Sequence, residues 1–281
     1  MNTKMIVLDM DGTILNHHNQ VTDQTRETIK KLRDKGFLVC IATGRSYNEI
    51  NQVAPDIEVD GIISANGMDV YIAEDKIKEN SLDLSLVKRI VEMARDDQVY
   101  YEVHPNDGPC VSFIRDRAFM EQEIEEPKPD SVGINEWLSR KAAIAKDIHW
   151  VEELPDKSYA KFYFFARTEE KINRWMTRLD QLKKEVDFTT SSSTNHNVEL
   201  MVANVNKATG IEHLLDHFQL EPEDILAIGD SDNDIPMLKF VGYPVVMKNG
   251  TDTIKALAKE VTEKTCDQDG VSDYLTRKYQ I

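Results

Sequence analysis

The sequence predicts an α/β protein built on a doubly wound, mostly parallel sheet into which an α+β domain is inserted. Strand-length apolar segments alternate with helical patterns in the first third of the chain, at Met5–Leu8, residues 37–42 and Gly61–Ser64. The alternation stops near residue 82 and resumes after residue 193. Wholly apolar strands that alternate with helices are typical of a parallel sheet covered by helices on both faces.

The first helix is predicted at residues 23–35. Thr22 precedes this helix and can accept a hydrogen bond from a free N–H group of its first turn. Gly36 is expected to end the helix. Each of the first three apolar strands is followed by a polar segment that contains glycine. In open α/β sheets, ligands bind at the carboxyl ends of the strands, so these segments are the first candidates for a site.

The middle of the chain has a different pattern. Residues 99–103, 111–114 and 162–165 carry aromatic or alternating apolar side chains, and two segments place apolar residues at helical spacing. These features favour an inserted α+β domain with junctions in polar stretches at residues 79–81 and 190–194. The predicted boundaries are residues 1–81 and 194–281 for the α/β domain and 82–193 for the insert.

The last part of the chain returns to the α/β pattern. Lys207 begins an amphipathic helix, and an apolar strand at residues 225–228 runs directly into the polar segment at residues 229–234. A further helix is predicted near Pro236, and no internal repeat is visible. The two halves of the α/β domain are therefore expected to form one sheet.

Composition narrows the class of protein. The net charge of −16 and the lack of any basic run argue against binding to a nucleic acid backbone. No apolar run approaches the roughly 20 residues that span a bilayer, so no membrane association is predicted. The three cysteines lack a metal or redox spacing, which fits a reducing cytoplasm. An acidic protein that binds an anion needs local cations, and the sequence leaves the oligomeric state open.

Two aspartates follow the first strand. Asp9 and Asp11 are one residue apart, so both carboxylates can face one crevice. A divalent cation between them would relieve the repulsion that hinders attack of a carboxylate on a phosphate dianion. The competing interpretation is a plain turn, because Asp-Gly is a common turn pair.

A second acidic cluster follows the strand at residues 225–228. It contains Asp230, Asp232, Asn233 and Asp234, whose hard oxygen atoms suit Mg²⁺. A helix cap is the alternative, but capping accounts for only one of the three acids. Several carboxylates packed together repel one another, and a bound cation resolves that repulsion.

Two further polar groups lie at the predicted sheet edge. Thr43 and Gly44 close the second strand and can offer a hydroxyl group and a backbone N–H group to a phosphate oxygen. Lys207 can place a positive charge in the same crevice. Taken singly, Thr-Gly is more often a turn, and a lysine is more often a solvated surface residue.

The four segments together resemble motifs one to four of the haloacid dehalogenase-like hydrolase superfamily. They are residues 9–13, Thr43-Gly44-Arg45, Lys207 and residues 229–234. Their order and the large insert resemble the Cof-type subfamily with a type IIB cap domain, and Asn66-Gly67 and Asp269-Gly270-Val271 resemble that subfamily as well. The resemblance covers the whole chain and implies a haloacid dehalogenase-like Rossmannoid core. One departure is Ala208, where the family commonly has glycine after the lysine.

The resemblance implies a Mg²⁺-dependent phosphatase that acts on a small phosphorylated metabolite through an aspartyl-phosphate. Asp9 would be the nucleophile and Asp11 the general acid and base. The resemblance implies the other roles as well. Thr43 and Lys207 would stabilise the transferring group, and the backbone N–H groups of Met10 and Gly44 would contact phosphate. Mg²⁺ would be bound by Asp9, the Asp11 carbonyl and Asp230, and Asn233 and Asp234 would support the phosphate or the metal.

Substrate contacts are expected from the core and from the insert. The candidates are Arg45 and Asn66 in the core and Tyr101, His104 and Lys161 in the insert, although packing or a solvated surface is the more common role for each insert residue. His17 and His18 lie in the loop after motif one, and a surface position is favoured for both. No histidine and cysteine set has the sequence spacing of a zinc site.

Three other functions remain open. A phosphomutase of the same superfamily would need a second phosphate-binding surface in the cap. A phospho-accepting signalling module also uses aspartates, a threonine and a lysine, but the insert and the early Asp9/Asp11 pair argue against it. A non-catalytic phospho-ligand binding protein has little support, because every expected catalytic group is present. Candidate substrates include sugar phosphates, flavin mononucleotide or its precursors, and pyridoxal phosphate.

Overall fold

The computed structural model describes residues 3–192 and 194–281. The chain forms two compact units. The core unit comprises Met1–Glu79 and Val205–Ile281, and the inserted unit comprises Asn80–Asn204. Among the described residues, no helix has both the length and the hydrophobicity needed to cross a membrane.

The core unit is built on an eight-stranded sheet. Its strands, in spatial order, are β14 (Glu260–Val261), β13 (Tyr243–Val246), β12 (Ile225–Gly229), β1 (Met5–Leu8), β2 (Leu38–Ala42), β3 (Gly61–Ser64), β4 (Asp69–Ile72) and β5 (Asp75–Glu79). Pairing is parallel from β14 to β3 and antiparallel for β4 and β5. The parallel strands all present their carboxyl ends at one edge, as the sequence predicts.

Helices cover both faces of this sheet. They are α1 (Asp23–Asp34), α2 (Tyr47–Val53), α7 (Lys207–Phe218), α8 (Ile235–Phe240), α9 (Asp252–Lys255) and α10 (Gly270–Tyr279). Ile6 and Leu8 of β1 share a core with α1 and α10, whereas Met5 and Val7 share another with α7 and α8. Because side chains of a strand alternate between faces, β1 is apolar throughout and the sheet is doubly wound.

The inserted unit is built on a six-stranded sheet. Its order is β10 (Phe188–Ser191), β11 (Asn197–Val202), β9 (Tyr159–Phe165), β6 (Tyr100–Pro105), β7 (Val111–Phe113) and β8 (His149–Val151). All pairs are antiparallel except β7 with β8. The helices are α3 (Leu84–Asp96), α4 (Arg117–Glu123), α5 (Ile134–Ala142) and α6 (Glu169–Leu182). The sequence predicts α3 and α6; it misses α4 and α5, which are short and bury few side chains.

The second junction differs from its predicted position. Residues 190–194 were expected to link the two domains, but β10 pairs with β11, and β11 pairs with β9 of the inserted unit. The unit boundary therefore falls between Asn204 and Val205. In β10, Phe188 is buried while the next residue is exposed. A strand with one solvent-exposed face carries many polar residues, so its sequence resembles that of a linker. The predicted end of the insert, Ser193, lies outside the described residues.

Candidate active site

Four polar side chains from distant parts of the core unit meet at the carboxyl edge of its sheet. Asp9 follows β1, Asp230 and Asp234 follow β12, and Lys207 is the first residue of α7. Carboxylate oxygens of the three aspartates lie within 4.8 Å of one another. β1 and β12 are paired in parallel from Met5 with Ile225 onward, so their ends must lie side by side.

Lys207 is fully buried and holds two of these aspartates. Its Nζ lies 2.5 Å from Asp9 Oδ1 and 2.6 Å from Asp234 Oδ1. Asn206 fixes the start of α7, because its side chain accepts hydrogen bonds from the N–H groups of Ala208 and Thr209. Burial by itself lowers the pKa of Lys207, but Asp9 and Asp234 raise it above its ordinary value. The lysine is therefore a fixed positive charge in the site.

Burial disfavours the charged forms of two aspartates of the cluster, Asp9 and Asp230. Burial raises the pKa of Asp9 to about 7; Lys207 acts to lower it, and Asp234 adds to the rise. Burial also raises the pKa of Asp230 to about 6, and Asp234 adds to this shift. Both shifts have the same cause, since removing a carboxylate from water disfavours its charged form.

Both carboxylate oxygens of Asp234 have partners within the protein. Its Oδ2 accepts hydrogen bonds from the backbone N–H groups of Asp230 and Ser231 at 2.9 and 3.0 Å, and its Oδ1 contacts Lys207. Both oxygens are thus engaged within the protein. The geometry favours a supporting position for Asp234 over a direct contact with a ligand.

Two buried oxygens of the cluster lack such partners. Within residues 3–192 and 194–281, neither Asp9 Oδ2 nor Asp230 Oδ1 has a hydrogen-bond partner. Buried polar atoms are otherwise nearly always paired, so two carboxylate oxygens without donors are candidates to share a cation. Hard carboxylate oxygens suit Mg²⁺, and the residues present fit this ion.

Asp11 is placed differently from Asp9. Its side chain is half exposed and is bound by the Arg45 guanidinium, with Nη2 2.5 Å from Oδ1 and Nε 2.9 Å from Oδ2. This hydrogen bond is the main reason that the pKa of Arg45 is raised. Arg45, expected to contact substrate, thus holds the side chain of the expected acid and base.

Asn66 links the end of β2 to the polar segment that follows β12. Thr43 is buried, and its Oγ1 accepts a hydrogen bond from the N–H of Arg45 at 3.1 Å. Asn66 adopts a left-handed conformation and donates its N–H to the Thr43 carbonyl at 2.8 Å. Its Oδ1 accepts from Asn233 Nδ2 at 3.1 Å. A Cβ on Gly44 would lie 3.4 Å from the Asn66 amide, so the turn is closely packed.

The side chain of Met10 is buried in the core, which leaves only its backbone to act at the site. Two further candidates in the core unit, both histidines, lie at the protein surface. His17 and His18 are exposed, as expected, and His17 Nδ1 contacts Asp267 Oδ2 at 2.5 Å.

The insert candidates each have partners within the inserted unit. Tyr101 is fully buried, and its hydroxyl donates to Asp116 Oδ2 at 2.6 Å, so the packing alternative holds for it. His104 contacts Glu102, and Lys161 pairs with Glu199 at 2.9 Å. His104 and Lys161 are partly exposed and face the same side of the sheet, because they are register partners on β6 and β9.

Asn249 is a site residue that the sequence interpretation missed. Its Nδ2 donates to the Gly12 carbonyl at 2.8 Å and to Asp230 Oδ2 at 3.3 Å, and its Oδ1 accepts from the N–H of Cys266 at 3.0 Å. These bonds leave Asp230 Oδ1 as the free oxygen. The signal was present, because Asn249 follows the apolar strand β13 at the same sheet edge as the other motifs.

Comparison with known proteins identifies the family of the chain. A model of the haloacid dehalogenase-like hydrolase family matches residues 6–275. The chain is 29% identical to the 5-amino-6-(5-phospho-D-ribitylamino)uracil phosphatase YitU of Bacillus subtilis, over 100% of both chains. It is 28% identical to YwtE of that organism, also named a 5-amino-6-(5-phospho-D-ribitylamino)uracil phosphatase, over 97% of this chain and 96% of the relative.

A crystal structure of a haloacid dehalogenase-like hydrolase from Bacteroides thetaiotaomicron has the same fold. It superposes with a TM-score of 0.77 at 24% identity and covers 98% of this chain and 99% of that one. The chain belongs to the haloacid dehalogenase-like hydrolase family, as the sequence motifs indicate. The predicted enzyme class, a phosphoric monoester hydrolase, is consistent with this family and with the names of its relatives.

Proposed function

We propose that this protein is a Mg²⁺-dependent phosphatase that hydrolyses a small phosphorylated metabolite through a phosphorylated Asp9. One observation carries the proposal: Asp9 lies against the buried Lys207, while Asp9 Oδ2 and Asp230 Oδ1 lack a hydrogen-bond partner among the described residues. A carboxylate nucleophile, a fixed cation and a place for a second cation are the groups that phosphoryl transfer requires.

In the first step, the carboxylate of Asp9 attacks phosphorus, and the bond from phosphorus to the substrate oxygen breaks. Asp11 gives a proton to the departing oxygen, which leaves as an alcohol. Lys207 offsets negative charge on the phosphoryl oxygens, and Thr43 and the backbone N–H of Gly44 donate to them. The product of this step is an aspartyl-phosphate on Asp9.

In the second step, Asp11 takes a proton from water while the water oxygen attacks phosphorus. The bond between phosphorus and Asp9 breaks, and inorganic phosphate leaves. Arg45 must release Asp11 before either proton transfer, because the guanidinium holds both oxygens of that carboxylate. An incoming anionic substrate competes for Arg45 and thereby promotes this release.

Three groups would hold the metal: the carboxylates of Asp9 and Asp230 and the backbone carbonyl of Asp11. Bound Mg²⁺ would neutralise developing charge on the transferring group. Asp234 and Asn233 keep this arrangement in place, since Asp234 holds the backbone of Asp230 and Asn233 holds Asn66.

The names of the relatives guide the choice of substrates to test first. Two relatives are named as phosphatases of a phosphoribitylamino-uracil, so that compound, flavin mononucleotide and sugar phosphates are the first to test. The inserted unit would act as a cap that excludes water and contacts the part of the substrate beyond the phosphate.

The three cysteines are free, which supports a cytoplasmic location.

A screen for phosphate release across these compounds tests the proposal. Wild-type protein is expected to release phosphate with Mg²⁺ and to lose activity with EDTA. Asp9→Asn removes the nucleophile and is expected to be inactive, whereas Asp216→Asn makes the same change on the exposed face of α7 and should retain activity. Near-normal turnover by Asp9→Asn would refute the mechanism, and formation of an isomeric sugar phosphate in place of inorganic phosphate would indicate a phosphomutase.

A further inference from the structure

We propose that the core unit carries a second metal site, for a borderline-soft divalent cation such as Zn²⁺, formed by His17, Cys266 and Asp267. One ligand atom from each residue lies within 4.8 Å of the other two. His17 follows β1, whereas Cys266 and Asp267 precede α10, so the set is assembled only by folding. This site is independent of the proposed phosphatase activity.

The two separations from His17 Nδ1 lie on either side of the value for a tetrahedral site. His17 Nδ1 lies 4.0 Å from Cys266 Sγ and 2.5 Å from Asp267 Oδ2. Ligand atoms that share one Zn²⁺ are about 3.3–3.6 Å apart, given bond lengths of 2.0–2.3 Å and tetrahedral angles. One separation is shorter than this range and the other is longer, so metal binding would require the exposed imidazole of His17 to move.

The backbone already fixes two of the ligands. Asp267 Oδ1 accepts a hydrogen bond from the N–H of His17 at 2.9 Å, so the loop after β1 is tied to the segment before α10. Cys266 is buried, and its N–H donates to Asn249 at 3.0 Å. Three protein ligands held in this way leave a fourth position for water, as in open zinc sites.

The local charges also favour a cation. Within the described part of the chain, His17 is the basic side chain that contacts Asp267, and no lysine or arginine pairs with this carboxylate. A cation would take the place of the proton shared by His17 and Asp267 and of the Cys266 thiol proton.

A second cluster of similar composition provides a contrast. Glu102, His104 and Cys110 of the inserted unit also offer three ligand atoms within 4.8 Å. There, Glu102 Oε1 accepts from Arg140 and from the Tyr100 hydroxyl. A metal would have to displace the guanidinium and would meet its positive charge, so we assign no metal to that cluster.

The two metal sites of the core unit would differ in selectivity. The aspartate cluster offers only oxygen, which suits Mg²⁺, whereas nitrogen, sulfur and oxygen together favour Zn²⁺ or Co²⁺. A soft ion can therefore be titrated into the proposed site while excess Mg²⁺ occupies the hard one.

Titration of the untagged full chain with Co²⁺ in excess Mg²⁺ tests the proposal. A thiolate-bound Co²⁺ gives a charge-transfer absorption band, which wild-type protein is expected to show at one ion per chain. Cys266→Ser should abolish the band, and His17→Ala, at an exposed position, should weaken Co²⁺ affinity at least about tenfold. Cys110→Ser is the matched control and should behave as wild type.

Calorimetry with Zn²⁺ on the same variants gives a second readout, and melting curves without metal check that each variant is folded. Absence of the band in wild type, or its persistence in Cys266→Ser, would overturn the proposal. Loss of the band in Cys110→Ser alone would assign the metal to the other cluster and would equally overturn it.

Discussion

Gly12 packs directly against the carboxylate of Asp230. A Cβ built on Gly12 would lie 2.1 Å from Asp230 Oδ2, and its φ of +73° is in the left-handed region. Motif one therefore needs glycine for two reasons, a backbone conformation and a lack of space. The close approach brings the loop after β1 against the carboxylate that follows β12.

Gly12→Ala should therefore damage the site more than the fold. Backbone strain is expected to lower the free energy of unfolding by about 1–2 kcal/mol, and the new methyl group must push Asp230 aside. Phosphate release should fall sharply. Gly36→Ala is the matched control, because its φ is +87° with nothing within 4 Å of the added Cβ. Equal activity in both variants would show that the contact with Asp230 does not matter.

Lys207→Met should strongly destabilise the protein as well as inactivate it. The change leaves Asp9 and Asp234 without their shared cation in a buried place, and removal of one partner of a buried ion pair costs about 3–5 kcal/mol. Denaturant unfolding in the absence of Mg²⁺ measures this loss.

The loss should be smaller at lower pH. The pKa of Asp9 is raised by burial to about 7 in the wild type, and removal of Lys207 raises it further, so the carboxyl group becomes neutral as the pH falls. A group whose folded pKa is raised stabilises the folded state more below that pKa. A deficit in Lys207→Met that is constant between pH 7 and pH 5 would contradict this account.

Asn249→Ala should weaken Mg²⁺ binding. The amide of Asn249 holds Asp230 Oδ2 and the Gly12 carbonyl, and loss of such supporting groups typically costs about 10–100-fold in metal affinity. Calorimetric titration with Mg²⁺ should show this loss, and higher Mg²⁺ should partly restore turnover. Asn51→Ala, on the exposed face of α2, is the control. Unchanged Mg²⁺ affinity in Asn249→Ala would remove the residue from the site.

Glu102 should make the stability of the inserted unit depend on acid pH. Burial acts to raise the pKa of Glu102, but hydrogen bonds and charge from His104, Arg140 and Tyr100 lower it to about 2. Because the folded pKa lies below the ordinary value of 4.5, the ionised form stabilises the unit above pH 4.5. This contribution, about 3 kcal/mol at 1.36 kcal/mol per pKa unit, is lost as the pH falls towards 2.

Tryptophan fluorescence can follow this loss, because Trp137, Trp150 and Trp175 all lie in the inserted unit. Glu102→Gln should flatten the dependence of unfolding free energy on pH between 4.5 and 2, whereas Glu125→Gln, at an exposed position, should leave it unchanged. Identical slopes in wild type and Glu102→Gln would show that another group titrates.

Much of the fold, and the set of candidate residues that meet at the sheet edge, could be predicted because the sequence signals are local. Fully apolar strands such as β1 and β12 need no long-range information to be recognised, and each directly precedes its acidic cluster. The end of the inserted unit is harder to predict, because β10 has one buried residue, Phe188, among polar ones. β10 belongs to the sheet only through its pairing with β11, which the local sequence does not reveal.

Local residue patterns are enough to predict the candidate groups of the core: its carboxylates, its lysine and the strand ends that carry them. The hydrogen-bond partners of these groups are set by the folded chain. It placed Lys207 between Asp9 and Asp234, bound Arg45 to Asp11 and brought His17 to Cys266. Apolar strands and their burial can be read from local patterns, whereas side-chain contacts between residues up to 250 positions apart depend on packing of the whole unit.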